Sequence, residues 1–135
     1  MDAVPPAEVV VVAVLRAALP GLSVVTLIPA PSARRMPLVW VQRTGGAAVH
    51  PLWLDRATLA AECWAATRPA AAELAGKVRA ALFGAYRRQA VTTVGSLASF
   101  RELSGPAEIR TAAQPENLTR IRASYELGIR PPPAP

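Results

Sequence analysis

Groups that carry out catalysis are scarce in this sequence. Its 135 residues include one cysteine, Cys63, and one histidine, His50. A single cysteine excludes an intramolecular disulfide, and one histidine, one cysteine and scattered carboxylates offer no spacing typical of metal ligands. Glycine-rich phosphate-binding patterns, either G-x-G-x-x-G or the P-loop, are also missing. The sequence therefore predicts neither a cofactor nor a metal site, and it argues against an enzyme.

The two residues with catalytic potential each have a simpler interpretation. His50 has Asp55 as its nearest carboxylate in sequence but no nucleophile beside it, so we interpret it as a loop histidine rather than a general base. Cys63 lies on an apolar face of a predicted strand, where a thiol is expected to be buried and inert. A small enzyme remains the least favoured hypothesis, and these two residues are its only candidates.

Long apolar runs and acidic residues are also few. The longest apolar stretch, from Val9 to Leu15, is shorter than the roughly 20 residues that span a bilayer. Asp2 and Glu8 stand where an export signal would be basic, so neither a membrane partner nor secretion is expected. The 15 basic residues exceed the 9 acidic ones and give a net charge of +6.

Only Lys77 among the basic residues is a lysine; the rest are arginines. Abundant arginine, alanine and proline are typical of a GC-rich genome, so we discount the positive charge as evidence for nucleic-acid binding. A dedicated binder would more often cluster its cations on one element. A small basic nucleic-acid-binding module nevertheless stays an open alternative.

Aliphatic residues are plentiful, with 52% of the chain hydrophobic and 5% aromatic, so a core of Ala, Val and Leu is expected. The length predicts a single domain over residues 1–130. The proline-rich segment 131–135 is expected to form an extended polyproline tail.

Residue periodicity predicts the element order α-β-β-β-α-β-β. The first helix is expected at Val9–Leu19, although its valines leave a strand as the competing interpretation. The second is expected to start after the N-cap Thr67 and to run to about Arg88, with one apolar stripe. Strands are predicted at Ser23–Ile28, Leu38–Arg43, Ala57–Ala66, Ser96–Leu103 and Thr119–Arg130. Together these elements predict an α+β fold with a largely antiparallel sheet of four to five strands and both helices on one face.

Loops are predicted at Pro29–Pro37, Gly45–Asp55 and Ser104–Leu118. The first is stiffened by prolines, and the last is unusually long for a small domain. These two and the polyproline tail form three projecting segments on a small rigid body, which suits an interaction protein better than an enzyme. The candidate interface residues are arginines of the loops and of the last strands together with one exposed tryptophan: Arg34, Arg35, Trp53, Arg101, Arg120, Arg122 and Arg130. Ordinary solvated charge is the alternative reading of the arginines.

Four parts of the chain carry a family likeness. They are the strand and turn at 37–46, the strand and N-cap at 55–68, the helix at 71–82, and the closing segments at 104–106 and 122–127. These segments resemble the tail terminator proteins of long-tailed bacteriophages, especially those that infect actinobacteria. The resemblance covers roughly residues 5 to 131, and its motifs are architectural rather than catalytic.

The resemblance implies a structural virion protein that assembles in the host cytoplasm. Members of that family form a hexameric ring on the head-proximal end of the tail tube. They stop the polymerisation of the tube and join it to the head connector. The implied partners are copies of the same chain, the tail tube protein, the connector or stopper protein, and genome DNA that passes through the lumen without sequence-specific binding. Another head-tail joining protein, a stopper or connector component, is the close alternative.

Overall fold

The computed structural model describes residues 3–112 and 117–133, which form two α-helices, six β-strands and one short 3-10 helix. In chain order the elements are α1 (Ala7–Ala18), β1 (Ser23–Val25), the 3-10 helix Pro31–Ala33, β2 (Leu38–His50), β3 (Leu54–Ala65), α2 (Arg68–Arg88), β4 (Val91–Thr92), β5 (Gly95–Ile109) and β6 (Thr119–Arg130).

The strands form one sheet in the order β1-β2-β3-β6-β5-β4. All neighbours are antiparallel except β1 and β2, which run parallel. The long strands β3 and β6 pair along their whole length at the centre of the sheet. The predicted α+β class and largely antiparallel sheet are confirmed. The described residues hold six strands rather than four to five, because the two-residue strand β4 was too short to show in the sequence pattern.

Both helices pack on the same face of the sheet, as predicted. Their buried residues, such as Leu15 and Leu82, join one apolar cluster with Leu59, Cys63 and Leu127 from the central strands. Each Leu or Val buried in this way contributes about 2 kcal/mol. Side chains alternate along a strand, so this face is the inner one and the opposite face of β3 and β6 points away from the helices.

The ends of α2 follow from two residues. The hydroxyl of Thr67 accepts a hydrogen bond from the backbone N–H of Ala70 at 3.3 Å, which confirms the predicted N-cap. At the other end Gln89 adopts a left-handed conformation with φ of 53°, and its N–H donates to the last carbonyls of the helix.

The predicted loop at Gly45–Asp55 is wrong. The strand β2 continues to His50, β3 starts at Leu54, and only a short turn separates them. Pairing shifts by one residue between Arg43 and Gly45, which marks a β-bulge. Gly46 lies there at φ +93°, and a Cβ on it would come within 2.2 Å of the carbonyl oxygen of Arg56. Gly46 therefore permits a bulge within the strand, at a place where the sequence pattern predicted that the strand ends.

The predicted loop at Ser104–Leu118 is wrong over its first part. The strand β5 continues to Ile109, with register shifts on both sides of Ser104. Pro106 is compatible with this strand because the edge of a sheet tolerates a residue that lacks an N–H. Residues 113–116 of the predicted loop lie outside the described residues. At the start of the chain β1 ends at Val25, three residues before the predicted end.

The proline-rich segment Pro29–Pro37 contains the 3-10 helix and folds back toward the sheet at Arg34. The Nε of Arg34 donates to the carbonyl of Pro29 at 2.9 Å, and its guanidinium lies over the ring of Trp64. The predicted polyproline tail has neither helix nor strand through Pro133, and its last two residues lie outside the described ones. Within the described ranges, none of the helices has the length and apolarity needed to span a membrane.

Candidate functional site

The outer face of the sheet carries most of the arginines that the sequence singled out. Along β6, Ile121 and Ala123 point inward and are buried, whereas Arg120 and Arg122 point outward. The register of β3 against β6 places Trp64 opposite Arg120 and Glu62 opposite Arg122. An acid, an indole and two guanidinium groups therefore lie side by side on one face.

Glu62 is the centre of this group and is only 1% exposed. Its Oε1 accepts hydrogen bonds from the indole Nε1 of Trp64 at 2.8 Å and from Nε of Arg120 at 2.5 Å. Its Oε2 lies 3.9 Å from Nη1 of Arg122. A buried carboxylate is costly unless it is paired and hydrogen-bonded, and here both conditions are met.

Trp64 holds two guanidinium groups against its ring. The central carbon of Arg120 lies 5.1 Å from the ring centroid, and that of Arg34 lies 5.4 Å from it. Such cation–π contacts contribute about 0.5 to 1 kcal/mol each at partly exposed sites. They orient both side chains against the indole ring. Arg34, Arg120 and Arg122, gathered around Glu62 and Trp64, are called the arginine cluster below.

Further arginines lie at the same end of the sheet. Arg68 opens α2, Arg110 follows β5, and both form ion pairs with Glu108, at 3.0 and 3.2 Å. Burial would raise the pKa of Glu108, but the bonds from the two arginines outweigh it and lower that pKa. Arg35 adjoins the cluster, is exposed, and has no ion pair within the described residues.

The other predicted interface residues do not join the cluster. Arg101 lies on β5 opposite Glu126 of β6. Arg130 lies at the far end of β6, where its Nη1 donates to the side-chain carbonyl of Gln89 at 3.0 Å. Trp53 lies in the turn between β2 and β3, also at the far end. The predicted set thus divides between two ends of the sheet.

An apolar tip surrounds Trp53. Val49, Leu52 and Trp53 are 54%, 41% and 57% exposed. The ring of His50 stacks on that of Trp53 with centroids 3.9 Å apart, and its Nδ1 accepts from the backbone N–H of Leu52 at 3.2 Å. His50 therefore stiffens the turn and orients Trp53, and these four residues are called the apolar tip below.

Cys63 lies on the inner face and is buried, as predicted. Burial is the larger cause, and the neighbouring charge of Glu62 the smaller one, of a thiol pKa raised to about 12. A thiol in that state is not a nucleophile at neutral pH. Within residues 3–112 and 117–133, no group of histidine, cysteine and carboxylate side chains is arranged to hold a metal ion.

The sheet has two long open edges. The strand β1 pairs only with Leu38–Trp40 of β2, so β2 beyond Trp40 has a neighbour on one side only among the described residues. Likewise β4 pairs only with Gly95 and Ser96 of β5. Unpaired strand edges present rows of N–H and C=O groups to any chain that can pair with them.

Sequence reasoning gave Glu62 no role. The usable signal was an acid in an otherwise apolar strand, two residues from a tryptophan and hence on the same face. What the sequence did not contain was the register that brings β6 alongside and the fold of the segment that brings Arg34.

Residues 3–135 match the family model described as phage tail termination protein. No curated protein matched the chain.

Proposed function

Because this chain belongs to the family of phage tail termination proteins, we propose that six copies of it form a ring on the head-proximal end of the tail tube. The protein is a structural component of the bacteriophage tail. In the proposed ring it stops the polymerisation of the tube and joins the tail to the head connector, with no catalytic step.

The two open strand edges carry this proposal. They lie on opposite sides of the sheet, β2 on one and β5 on the other. An edge of one copy can pair with the opposite edge of the next, which is a head-to-tail contact, and such contacts give a closed ring when the rotation between copies closes. The contact uses backbone groups that are already extended, so its ordering cost is low.

The apolar tip supplies an anchor for the tube or the connector. Tryptophan is enriched among interface residues that contribute most to binding, and Trp53 is exposed yet held in place by His50. A protein that ends a polymer binds the last tube subunit on one face and offers no matching surface to a further one. We place the apolar tip on the tube or connector side and the strand edges between copies.

The ring leaves a lumen through which genome DNA passes without sequence-specific recognition, and we propose that assembly takes place in the host cytoplasm. Of the predicted interface residues, Arg101 lies on the strand proposed to pair between copies, and Arg130 lies at the same end as the apolar tip. We propose that both contribute to contacts between subunits or with the tube.

The proposal is tested by assembly with purified tail tube protein. We expect electron microscopy to show six-fold rings and short tubes capped at one end, and we expect tube length to fall as this protein is added. Tubes that keep growing in excess protein, with neither rings nor caps, would refute the proposal. Detection of the protein above the tube end in intact virions, without contact to the tube, would identify it as a stopper or connector component instead.

One charge on the open edge tests the ring contact itself. Leu103 is 43% exposed on β5, beyond the part covered by β4, and a lysine there opposes edge pairing. We expect Leu103→Lys to remain folded but to lose ring formation. The matched control is Ala72→Lys, the same charge on an exposed position of α2, which should leave the ring intact. Equal ring formation by both variants would move the subunit contact away from β5.

A further inference from the structure

We propose that the end of the sheet around the arginine cluster binds the phosphate backbone of duplex DNA. This inference rests on the proposed function only for the presence of DNA, and its test does not require a ring.

The charge at this end is strongly one-sided. Within the described residues, six arginines lie there against two carboxylates, 6 − 2 = +4: Arg34, Arg35, Arg68, Arg110, Arg120 and Arg122 against Glu62 and Glu108. Elsewhere, Arg43 pairs with Asp55 and Arg79 with Glu102, one acid for each. The rest of the described residues also carry an excess, nine basic side chains against five carboxylates or 9 − 5 = +4, so this end holds half of the total excess of positive charge.

The arginine cluster is organised before any ligand arrives. Glu62 fixes Nε of Arg120, and Trp64 lies under Arg120 and Arg34. The one carboxylate cannot neutralise three guanidinium groups, so 3 − 1 = +2 remains in the cluster. Arginine presents a planar fork of donors that matches two phosphate oxygens, and Arg122 keeps 38% of its side chain exposed for such a contact.

A polyanion fits this end better than a protein surface does. Of the nine large hydrophobic residues that are exposed among those the structure describes, only Met36 lies here, whereas Val49, Leu52 and Trp53 lie at the opposite end. Protein interfaces have an apolar core, while interfaces with DNA are more polar and far more positively charged. The guanidinium groups also come from four segments, the proline-rich arm, the start of α2, and the adjoining ends of β5 and β6. Guanidinium groups spread over four segments cannot all contact a single phosphate group, but they can contact successive phosphates of a DNA backbone.

The test measures the anisotropy of a short labelled duplex with the full chain, over about 20 to 200 mM salt. We expect Arg122→Ala to weaken binding about three- to tenfold at low salt and to reduce the slope of log K against log salt by about one. Arg35→Ala should act in the same direction. Arg122→Lys should keep most of the slope of log K against log salt, because the slope depends on the number of positive charges at the phosphates and lysine keeps the charge. Arg87→Ala, an exposed arginine at the other end of α2, is the matched control and should change neither quantity.

Three results would overturn the inference: no binding at the lowest salt, equal losses for Arg87→Ala and Arg122→Ala, or a polyglutamate probe that binds as tightly as DNA and is weakened equally by Arg122→Ala. The last would assign the surface to an acidic protein.

Capping of tail tubes by the Arg122→Ala variant separates this inference from the proposed function. Lost DNA affinity with normal capping supports it, whereas lost capping with unchanged DNA affinity would make this end a protein contact.

Discussion

At the scale of single residues, burial decides the chemistry of Cys63. The thiol lies among apolar side chains of the inner face, and its pKa is raised to about 12. Tyr125, on the same face, has its pKa raised to about 12 mainly by burial. In an unfolded chain both groups ionise at lower pH, so the folded state holds protons that the unfolded state releases.

We therefore expect stability to fall in alkali. Cys63 contributes stability that is fully present below its unfolded pKa, near 9, and is lost as pH rises toward its folded pKa. Between about pH 8 and pH 10 the free energy of unfolding should drop by on the order of 1 kcal/mol from this residue. Urea unfolding at both pH values measures the drop, and Cys63→Ala should show a smaller one. An identical pH dependence in the two proteins would contradict the assignment.

At the scale of elements, the glycines of β2 show how a strand can pass through residues that look like a turn. Gly46 has a positive φ and no room for a side chain, whereas Gly45 has its nearest neighbour, Cβ of Thr58, at 4.0 Å. The bulge therefore depends on one glycine and not on its neighbour. Without it the hairpin of β2 and β3 would not carry the apolar tip at its end.

The two glycines give a matched pair of variants. Gly46→Ala combines a strained backbone with a Cβ 2.2 Å from the carbonyl oxygen of Arg56, so it should lower the free energy of unfolding by about 2 kcal/mol or more. Gly45→Ala should change it by no more than about 0.5 kcal/mol. Urea denaturation measures both. If both variants lost a similar free energy of unfolding, the β-bulge would not depend specifically on Gly46.

At the scale of the whole molecule, one apolar cluster joins α1, α2 and the strands from β1 to β6 except β4. Because this one cluster contains residues from almost every element, we expect the single domain predicted over residues 1–130 to unfold as a unit. A sheet whose two central strands pair along their full length also couples its two hairpins.

Calorimetry of the isolated chain checks this expectation. One transition is expected, with the calorimetric enthalpy equal to the van't Hoff enthalpy and a value of about 90 kcal/mol near 60 °C for 130 residues. Separate melting of the hairpin of β2 and β3 would contradict the single domain. Leu103→Lys should show the same single transition, because its effect is expected only between copies.

Periodicity located both helices, the N-cap Thr67, and the central strands, since these depend on local spacing of apolar side chains. It failed at Gly45 and at Ser104–Pro106, where residues typical of turns lie within long strands. A glycine or a proline has the same local preference in a loop and in a bulge, and only the neighbouring strand distinguishes the two.

The sequence by itself determined which residues form the apolar faces, because the periodicity of apolar residues in strands and helices is a local property of the chain. It also determined that Cys63 would be buried and that arginines would outnumber acids. Only the tertiary structure decided that Arg34, Arg120 and Arg122 meet around Glu62 and Trp64. Those residues come from three distant parts of the chain, and their meeting depends on strand register and on the path of a proline-rich segment. Neither is set by local preference, since both follow from how the whole sheet closes over its core.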